Sequence, residues 1–500
     1  MKTFLFIVLL FLDVVAKATT YTDFYVDANA SAGTNVNSGS TSNALATYTS
    51  TNGNWDGASL FVPTDGSTPA GTVTTNTFAS VYLDGATNAV YIARIETVAA
   101  GVNGTITLST TAVGGTAPTS GATGRSIKVG GAWSGPRNSS TVPFGVLKTT
   151  CTNASGNSVR CNWRSGSSNV LSVGITDSSV GPMHHEGYLT NPGDGLGRAI
   201  IDANNVNMSL LTLSGVNVSI ANFIFQHNLP TGTGSGLISS GGEQRVTGCV
   251  ANGLGGRGFS IVTSGAILTE CEAYNCNQGT NADFAGFYTS ATGTTFDRCY
   301  SHDNLTAASS GFTVSASTAN AYFIECIAQN NGSNGFSLQG QALNFVKNCN
   351  SVSNGLSGID LGSGSACVAY IENCALFNNL SYGINSSGSL LLRDGLVKNC
   401  VYGSGNQTNV LGNVVANLNG IEVDTPIIYT ASSTPWTSPT TGNFTPVAGA
   451  SIVNTGRGTF TATKSGYTPT LSYPDIGAGQ ITNSATAGGG GGPTSFGFSQ

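Results

Sequence analysis

Residues 325–338 read ECIAQNNGSNGFSL and residues 372–384 read ENCALFNNLSYGI. Laid over each other, they place Cys326 on Cys374, Asn331 on Asn379, and the Gly335-Phe336 pair on Gly383-Ile384. The same beat runs outward in both directions. Cys249, Cys271, Cys299, Cys326, Cys349, Cys374 and Cys400 recur at steps of 22 to 28 residues, a solenoid period with turns of unequal length. A Gly followed by an apolar residue keeps time with them, from Gly236-Leu237 through Gly286-Phe287 to Gly383-Ile384. Asn304, Asn331, Asn354 and Asn379 each fall five residues after a cysteine.

Two further columns define the strands. Three residues before each cysteine the chain is always apolar, as at Leu268, Phe296, Phe323 and Ile371. Two residues after it the side chain is mostly small, as at Ala251, Ala273, Ser301 and Ala328. Each repeat therefore reads as three short strands. One starts at the cysteine, one at the Gly-apolar pair, and one ends at the apolar residue before the next cysteine. Side chains alternate in and out along each strand, so the cysteines and the small residues point inward. Identical positions stack at about 4.8 Å from rung to rung. Parallel registry aims neighbouring Cβ vectors alike, which suits a disulfide poorly, so these cysteines read as buried thiols packing as small hydrophobes. The asparagines read as hydrogen-bonding along the bends, because Asn tolerates the left-handed backbone that a bend needs.

These rungs resemble the pectate-lyase-like right-handed parallel β-helix superfamily of exported or particle-surface solenoids. DFYVDANASAGTNVNSGS (residues 23–40) is similar to the strand that opens many of them, HHEGYLTNPGDGLGRAIIDA (184–203) to a segment leading into their first rungs, and YPDIGAGQ (473–480) to their closing segment. The resemblance implies a fold class, all-β with a right-handed parallel β-helix, over residues 166–480. It does not imply a chemistry, since the superfamily holds lyases, hydrolases, tail spikes and adhesins.

The flanks read differently. Lys2, the apolar run Phe4 to Leu12, and Ala16-Lys17-Ala18 form a signal-peptide pattern over residues 1–18, interrupted by Asp13 and too short to span a bilayer. Export to the cell exterior or a particle surface is expected. Residues 19–165 break the repeat. Within them SVYLDGATNAVYIARIETV (80–98) and GTITLST (104–110) alternate as antiparallel strands of a small β-rich region capping the solenoid's open edge. A disulfide between Cys151 and Cys161 is one reading of their spacing. Residues 481–500, with the Gly488–Gly492 run, read as a flexible tail.

Composition narrows the function. Only 8% of residues are charged and the net charge is −6 with 18 Lys and Arg, so no basic stripe awaits a nucleic acid. No Walker loop, HExxH, GxSxG or paired CxxC occurs. A calcium site would need clustered acids, and the acids here are scattered, so no cofactor is expected. His184 and His185 beside Glu186 point to opposite faces of a strand and make a poor metal site.

The outward positions of the first strand supply the best constellation. Glu272, Tyr274, Tyr300 and His302 fall on two adjacent rungs, with Asn252, Gln329 and Asp303 beside them. Tyrosines carry an apolar ring with a polar tip, and Asn, Gln and Glu suit sugar hydroxyls. At the bend before the cysteine, Glu270, Arg298 and Glu325 read as an ion ladder of weak surface pairs. Three functions stay open: a protein that recognises polysaccharide or serves as a rigid spike, with a homotrimer as a possible assembly; a polysaccharide lyase or glycoside hydrolase using His302 and Tyr300, or Glu272 with Asp297 or Asp303; and a purely structural surface protein.

Overall fold

The computed structural model describes residues 21–26, 46–56, most of 59–130, 158–166, most of 168–386, and isolated strands between 396 and 446. Among these residues every regular element is a strand. The chain forms two compact units: residues 1–164 with 179–186, and residues 165–178 with 187–500.

The second unit is a right-handed parallel β-helix with three strands per rung, stacked into three long parallel sheets. Sheet 1 holds the strands that follow the cysteines, among them Val250–Asn252, Glu272–Tyr274, Tyr300–His302, Ile327–Gln329 and Asn350–Val352. Sheet 2 holds the strands after each Gly, such as Phe259–Ile261, Ala285–Thr289, Ser310–Val314 and Phe336–Leu338. Sheet 3 holds Ile267–Thr269, Thr294–Asp297, Ala321–Ile324 and Leu343–Lys347. Its strands run one residue past the apolar marker, to Thr269 rather than Leu268, for example.

Pairing is in register, so like stacks on like: Ala273 pairs with Ser301, Ser301 with Ala328, and Ala328 with Ser351. Inward on sheet 2, Phe259, Phe287, Phe312 and Phe336 form a column of near-parallel rings 4.9 Å apart. Phe296 and Phe323 of sheet 3 stack at 5.1 Å and meet that column edge to face, as where Phe323 meets Phe336 at 5.4 Å. Offset and edge contacts of this kind suit the quadrupoles of the rings. The glycine before each sheet 2 strand is required by close approach. A Cβ on Gly258, Gly311, Gly335 or Gly358 would lie 2.5–2.8 Å from the carbonyl oxygen of the next glycine in the column. The small inward residues Ala273 and Ala328 crowd the same corner.

The cysteine column is buried from Cys249 to Cys374, and Cys249, Cys271, Cys299, Cys326 and Cys349 are free thiols. Each thiol from Cys271 to Cys349 donates to a carbonyl of the rung before it, as Cys326 does to Phe296 at 3.3 Å. Burial pushes Cys271 and Cys299 well above the ordinary thiol range. Cys276 is a further buried free thiol, at the position where the next rungs carry asparagine. Cys161 is buried, whereas Cys151 and Cys400 lie outside the described residues, as do the signal pattern and the glycine-rich tail.

The asparagine column behaves differently from expectation in one respect. Asn304, Asn331, Asn354 and Asn379 are buried, and the side-chain amides of the first three each donate to the side-chain oxygen of the next at 2.8–2.9 Å, while Asn379 donates to the Ser351 carbonyl at 3.0 Å. The left-handed residues are their predecessors: Asp303, Asn330, Ser353 and Asn378 have φ of 50–56°. A side chain must enter the core to hydrogen-bond along the stack, and the left-handed residue is the corner that lets the next one do so. The bend before the cysteine is also left-handed, at Glu270, Arg298, Glu325 and Asn348.

In the first unit, Tyr21–Val26 pairs in parallel with Ser158–Arg164, and Arg160 binds Asp23 at 2.7 Å across that pair. Between them in sequence stands a closed antiparallel barrel of Tyr48–Asp56, Leu60–Pro63, Phe78–Leu83, Tyr91–Val98, Ile106–Gly115 and Arg125–Val129. The alternating stretches at 80–98 and 104–110 are three of its strands. Trp55, Phe61, Tyr91, Ile95, Leu108 and Ile127 fill its interior.

Phe336 is fully buried and touches the rings of Phe312 and Phe323 in the rung below, so Phe336→Ala is expected to lower stability by about 3–5 kcal/mol in urea unfolding. A loss under about 1 kcal/mol would contradict its place in the stack. Cys299 and Cys326 are expected to react with a thiol reagent only after denaturation; fast labelling of the native protein would show that the column is open.

Candidate functional site

The outward residues of sheet 1 form two columns. One runs Val250, Glu272, Tyr300, Ile327, Asn350; the other runs Asp202, Gln226, Asn252, Tyr274, His302, Gln329. Registry therefore brings together Glu272, Tyr274, Tyr300 and His302, with Asn252, Gln329 and Asp303 around them. A slip of one residue would have put the aromatic residues inside and the cysteine column outside.

His302 is the centre of the cluster. Its Nε2 meets Glu272 Oε1 at 2.9 Å and its Nδ1 meets Asp303 Oδ2 at 2.7 Å. Its ring stacks on Tyr274 of the rung below, with centroids 5.1 Å apart and planes 10° apart. Tyr300 stacks on it at 4.2 Å and 22°, and the Tyr300 hydroxyl donates to Gln329 Oε1 of the rung above at 2.6 Å. Tyr274 stacks on His302 from the neighbouring rung and Tyr300 from the same strand, so the faces of the imidazole are covered by rings. Burial alone would lower the His302 pKa, but hydrogen bonds and charge from Glu272 and Asp303 outweigh it and hold the imidazole above its ordinary value. Burial raises Tyr300 far above the usual phenol range, and the charges of Asp303 and Glu272 add to this.

A second His–carboxylate pair lies lower in the same column. Asp202 accepts from Gln226 Nε2 at 2.9 Å and meets His227 Nδ1 at 2.9 Å. Burial opposes ionisation of Asp202, yet the hydrogen bonds from Gln226, the Asn204 amide and His227 bring its pKa below the ordinary carboxylate value. The cysteine marker starts only at Cys249, and the equivalent position one rung earlier is Phe223, so this part of the strip is invisible to a search by cysteines. Counting one repeat back from Cys249 reaches Phe223 with Gln226 and His227, and a second reaches Ala199 with Asp202.

The other candidates fall elsewhere. Arg298 pairs with Glu270 at 3.2 Å and with Asp297 at 3.0 Å, so it serves a local ion pair at the bend. Asp297 belongs to sheet 3 and is raised by burial, against the pull of Arg298. Glu325 is in the same bend column and is buried. In the first unit, His184 meets Glu186 at 3.5 Å, while His185 points inward and its Nδ1 lies 3.3 Å from Trp163 Nε1. Among the described residues no three His, Cys, Asp or Glu side chains gather as a metal-ligand set, and no helix is long and apolar enough to cross a membrane.

This arrangement defines a right-handed parallel β-helix protein with a polar, ring-stacked strip along one outer face. Residues 209–370 match the family model for the right handed beta helix region. Several solved structures are similar. Pectate lyase Pel9A has 15% identity and a TM-score of 0.38, covering 66% of this chain and 89% of its own. The A-module of the mannuronan C-5 epimerase AlgE4 of Azotobacter vinelandii has 11% identity and a TM-score of 0.39, covering 57% and 91%. Tailspike gp49 of Acinetobacter baumannii bacteriophage Fri1, a capsular polysaccharide depolymerase, has 10% identity and a TM-score of 0.35, covering 60% of each chain. No curated protein matches the chain.

The clasp gives a pH signature. Because the folded pKa of His302 is raised, its stabilisation is fully present below the unfolded value of about 6.5 and fades as pH rises through the folded value. The stability difference between the natural protein and His302→Asn is expected to be larger at about pH 6 than at about pH 9, measured by urea unfolding. A difference that grows with pH would show that the imidazole is held neutral.

Proposed function

We propose that the chain is an exported β-helix protein whose sheet 1 strip recognises polysaccharide without cleaving it. The observation that carries this reading is the engagement of His302. Both ring nitrogens are held by carboxylates, and the ring is stacked by Tyr274 and Tyr300. A general base needs a free lone pair within reach of the substrate proton, and with both ring nitrogens engaged one of these contacts would have to open first. Tyr300, its pKa raised by burial and nearby acids, is no better placed to ionise.

Hydrolysis fares no better. Glu272 and Asp303 sit on opposite nitrogens of one imidazole, so the ring stands between the two carboxylates that hydrolysis would use. The imidazole itself fills the gap where the glycosidic bond and the water would lie. What remains is a rigid row of amide, hydroxyl and carboxylate groups, ordered before any ligand arrives. Preorganised polar groups lose little entropy on binding, which favours recognition by many modest hydrogen bonds. The export pattern at the N-terminus and the sparse charge are in keeping with a protein that works outside the cell.

An immobilised-glycan array and a reducing-end and unsaturated-product assay over the same polysaccharides test this together. Binding without product formation is expected, and the combined replacement of Glu272, Tyr274, Tyr300 and His302 by Ala is expected to lower binding about tenfold or more. Turnover that disappears in His302→Ala would establish the enzyme reading instead. Binding that survives all four replacements would remove the strip from consideration.

A further inference from the structure

Resting on that reading, we infer that the strip takes an uncharged polysaccharide lying along the solenoid axis, and that it discriminates against polyuronates. The charges of the strip decide the class. Its columns and its two bends carry Asp202, Glu270, Glu272, Asp303 and Glu325, against Arg198 and Arg298 as permanent cations. Arg298 is engaged by Glu270 and Asp297, and Arg198 Nε donates to the Gly248 carbonyl. Both histidines of the strip are held by carboxylates, His227 by Asp202 and His302 by Glu272 and Asp303. A chain bearing one carboxylate per sugar would therefore meet an excess of acidic groups, five against two permanent cations, with Arg198 the one guanidinium of the two that is not held in an ion pair. Multivalent calcium could bridge such a ligand, but the carboxylates here are spread along the strip and clasped by histidines rather than gathered into a ligand set.

The neutral groups decide the orientation. Between the two clasps lie Gln226, Asn252 and Tyr274, one per rung in a single column, with Asn275 beside them at the turn and its amide 3.5 Å from Asn252 Oδ1. From Asp202 to Gln329 the column climbs five rung steps, about 24 Å at the rung spacing of a parallel stack. A linear glycan lying along the axis would pass the half-buried Gln226, Asn252, Tyr274 and His302, roughly one per sugar ring, with the buried Asp202 and Gln329 closing the row at its ends. Amides and phenols both donate and accept, which is what a row of hydroxyls requires.

Calorimetric titration of the full chain distinguishes the outcomes. The ligands are linear oligomers of β-1,4-glucose, α-1,4-glucose and β-1,4-mannose, set against oligogalacturonate and oligo-alginate, each over a series of lengths. Affinity for at least one neutral series is expected to rise with length and level off near the footprint of the column. It is expected to change little between low and high salt, because no ion pair is formed across the interface. Gln226→Ala with Asn252→Ala is expected to weaken it about tenfold, with the unfolding midpoint showing that the fold is kept. Preferential, salt-sensitive binding of the uronates would overturn the inference while leaving glycan recognition by the strip intact. Neutral-glycan binding untouched by the double replacement would overturn the placement along this column. Failure to bind any member of either panel would defeat the recognition reading itself.

Discussion

Everything in the solenoid depends on in-register parallel pairing between successive rungs. When each rung sits about 4.8 Å above the last with no sideways shift, a side chain meets its own equivalent above and below. Favourable self-stacking is then repeated without limit, and unfavourable self-contact is too. Phenylalanine rings 4.9 Å apart, asparagine amides that donate upward and accept from below, and glycines whose α-carbons face a carbonyl are three solutions to one condition. Charges fit that condition poorly, because like charges would stack, and only 8% of residues are charged. On sheet 1 and its bend, acids alternate with a cation or are clasped by a histidine, as at Glu270 and Arg298 or Glu272 and His302, and on sheet 2 Asp360 is held by the Asn385 amide.

The same condition shapes the outer strip. Aromatic side chains on successive rungs cannot lie flat on the sheet without meeting each other, so they stand on edge and stack. His302 is fixed by this stacking and by its two carboxylates at once, which is why a histidine on an outer face of the solenoid is only slightly accessible. A residue so held is suited to keeping its neighbours in place. The surface it supports is rigid in the way that the core is rigid, since both derive from the rung spacing.

The two bends that enclose sheet 1 have a common device. Single left-handed residues stand before the cysteine and before the ladder asparagine, and most are not glycine. Such a backbone costs about 1–2 kcal/mol for an L-residue, and the ladder on either side offsets it. At Asp303 the left-handed corner also aims a carboxylate at His302, so the geometry that turns the chain builds half of the clasp.

Periodicity alone determined a good deal: three strands per rung, the inward cysteine and phenylalanine columns, and the neighbourhood of Glu272, Tyr274, Tyr300 and His302. Each follows from counting, because a parallel stack turns sequence spacing directly into height and strand alternation into side. Other features had no such signal. The closed barrel at 48–129 depends on which strand edges meet, and alternating apolar residues are compatible with an open sheet as well as a closed one. The left-handed corner falls on Asp303 and Asn330 rather than on the ladder asparagines, since spacing does not report φ. The stacked orientation of the rings and the lower clasp of Asp202 with His227 were decided by contacts between rungs that lack a cysteine marker or differ in turn length. Sequence spacing carries the order of residues along a ladder; which group each side chain grips is settled only when neighbouring rungs compete for the same hydrogen bonds and the same space.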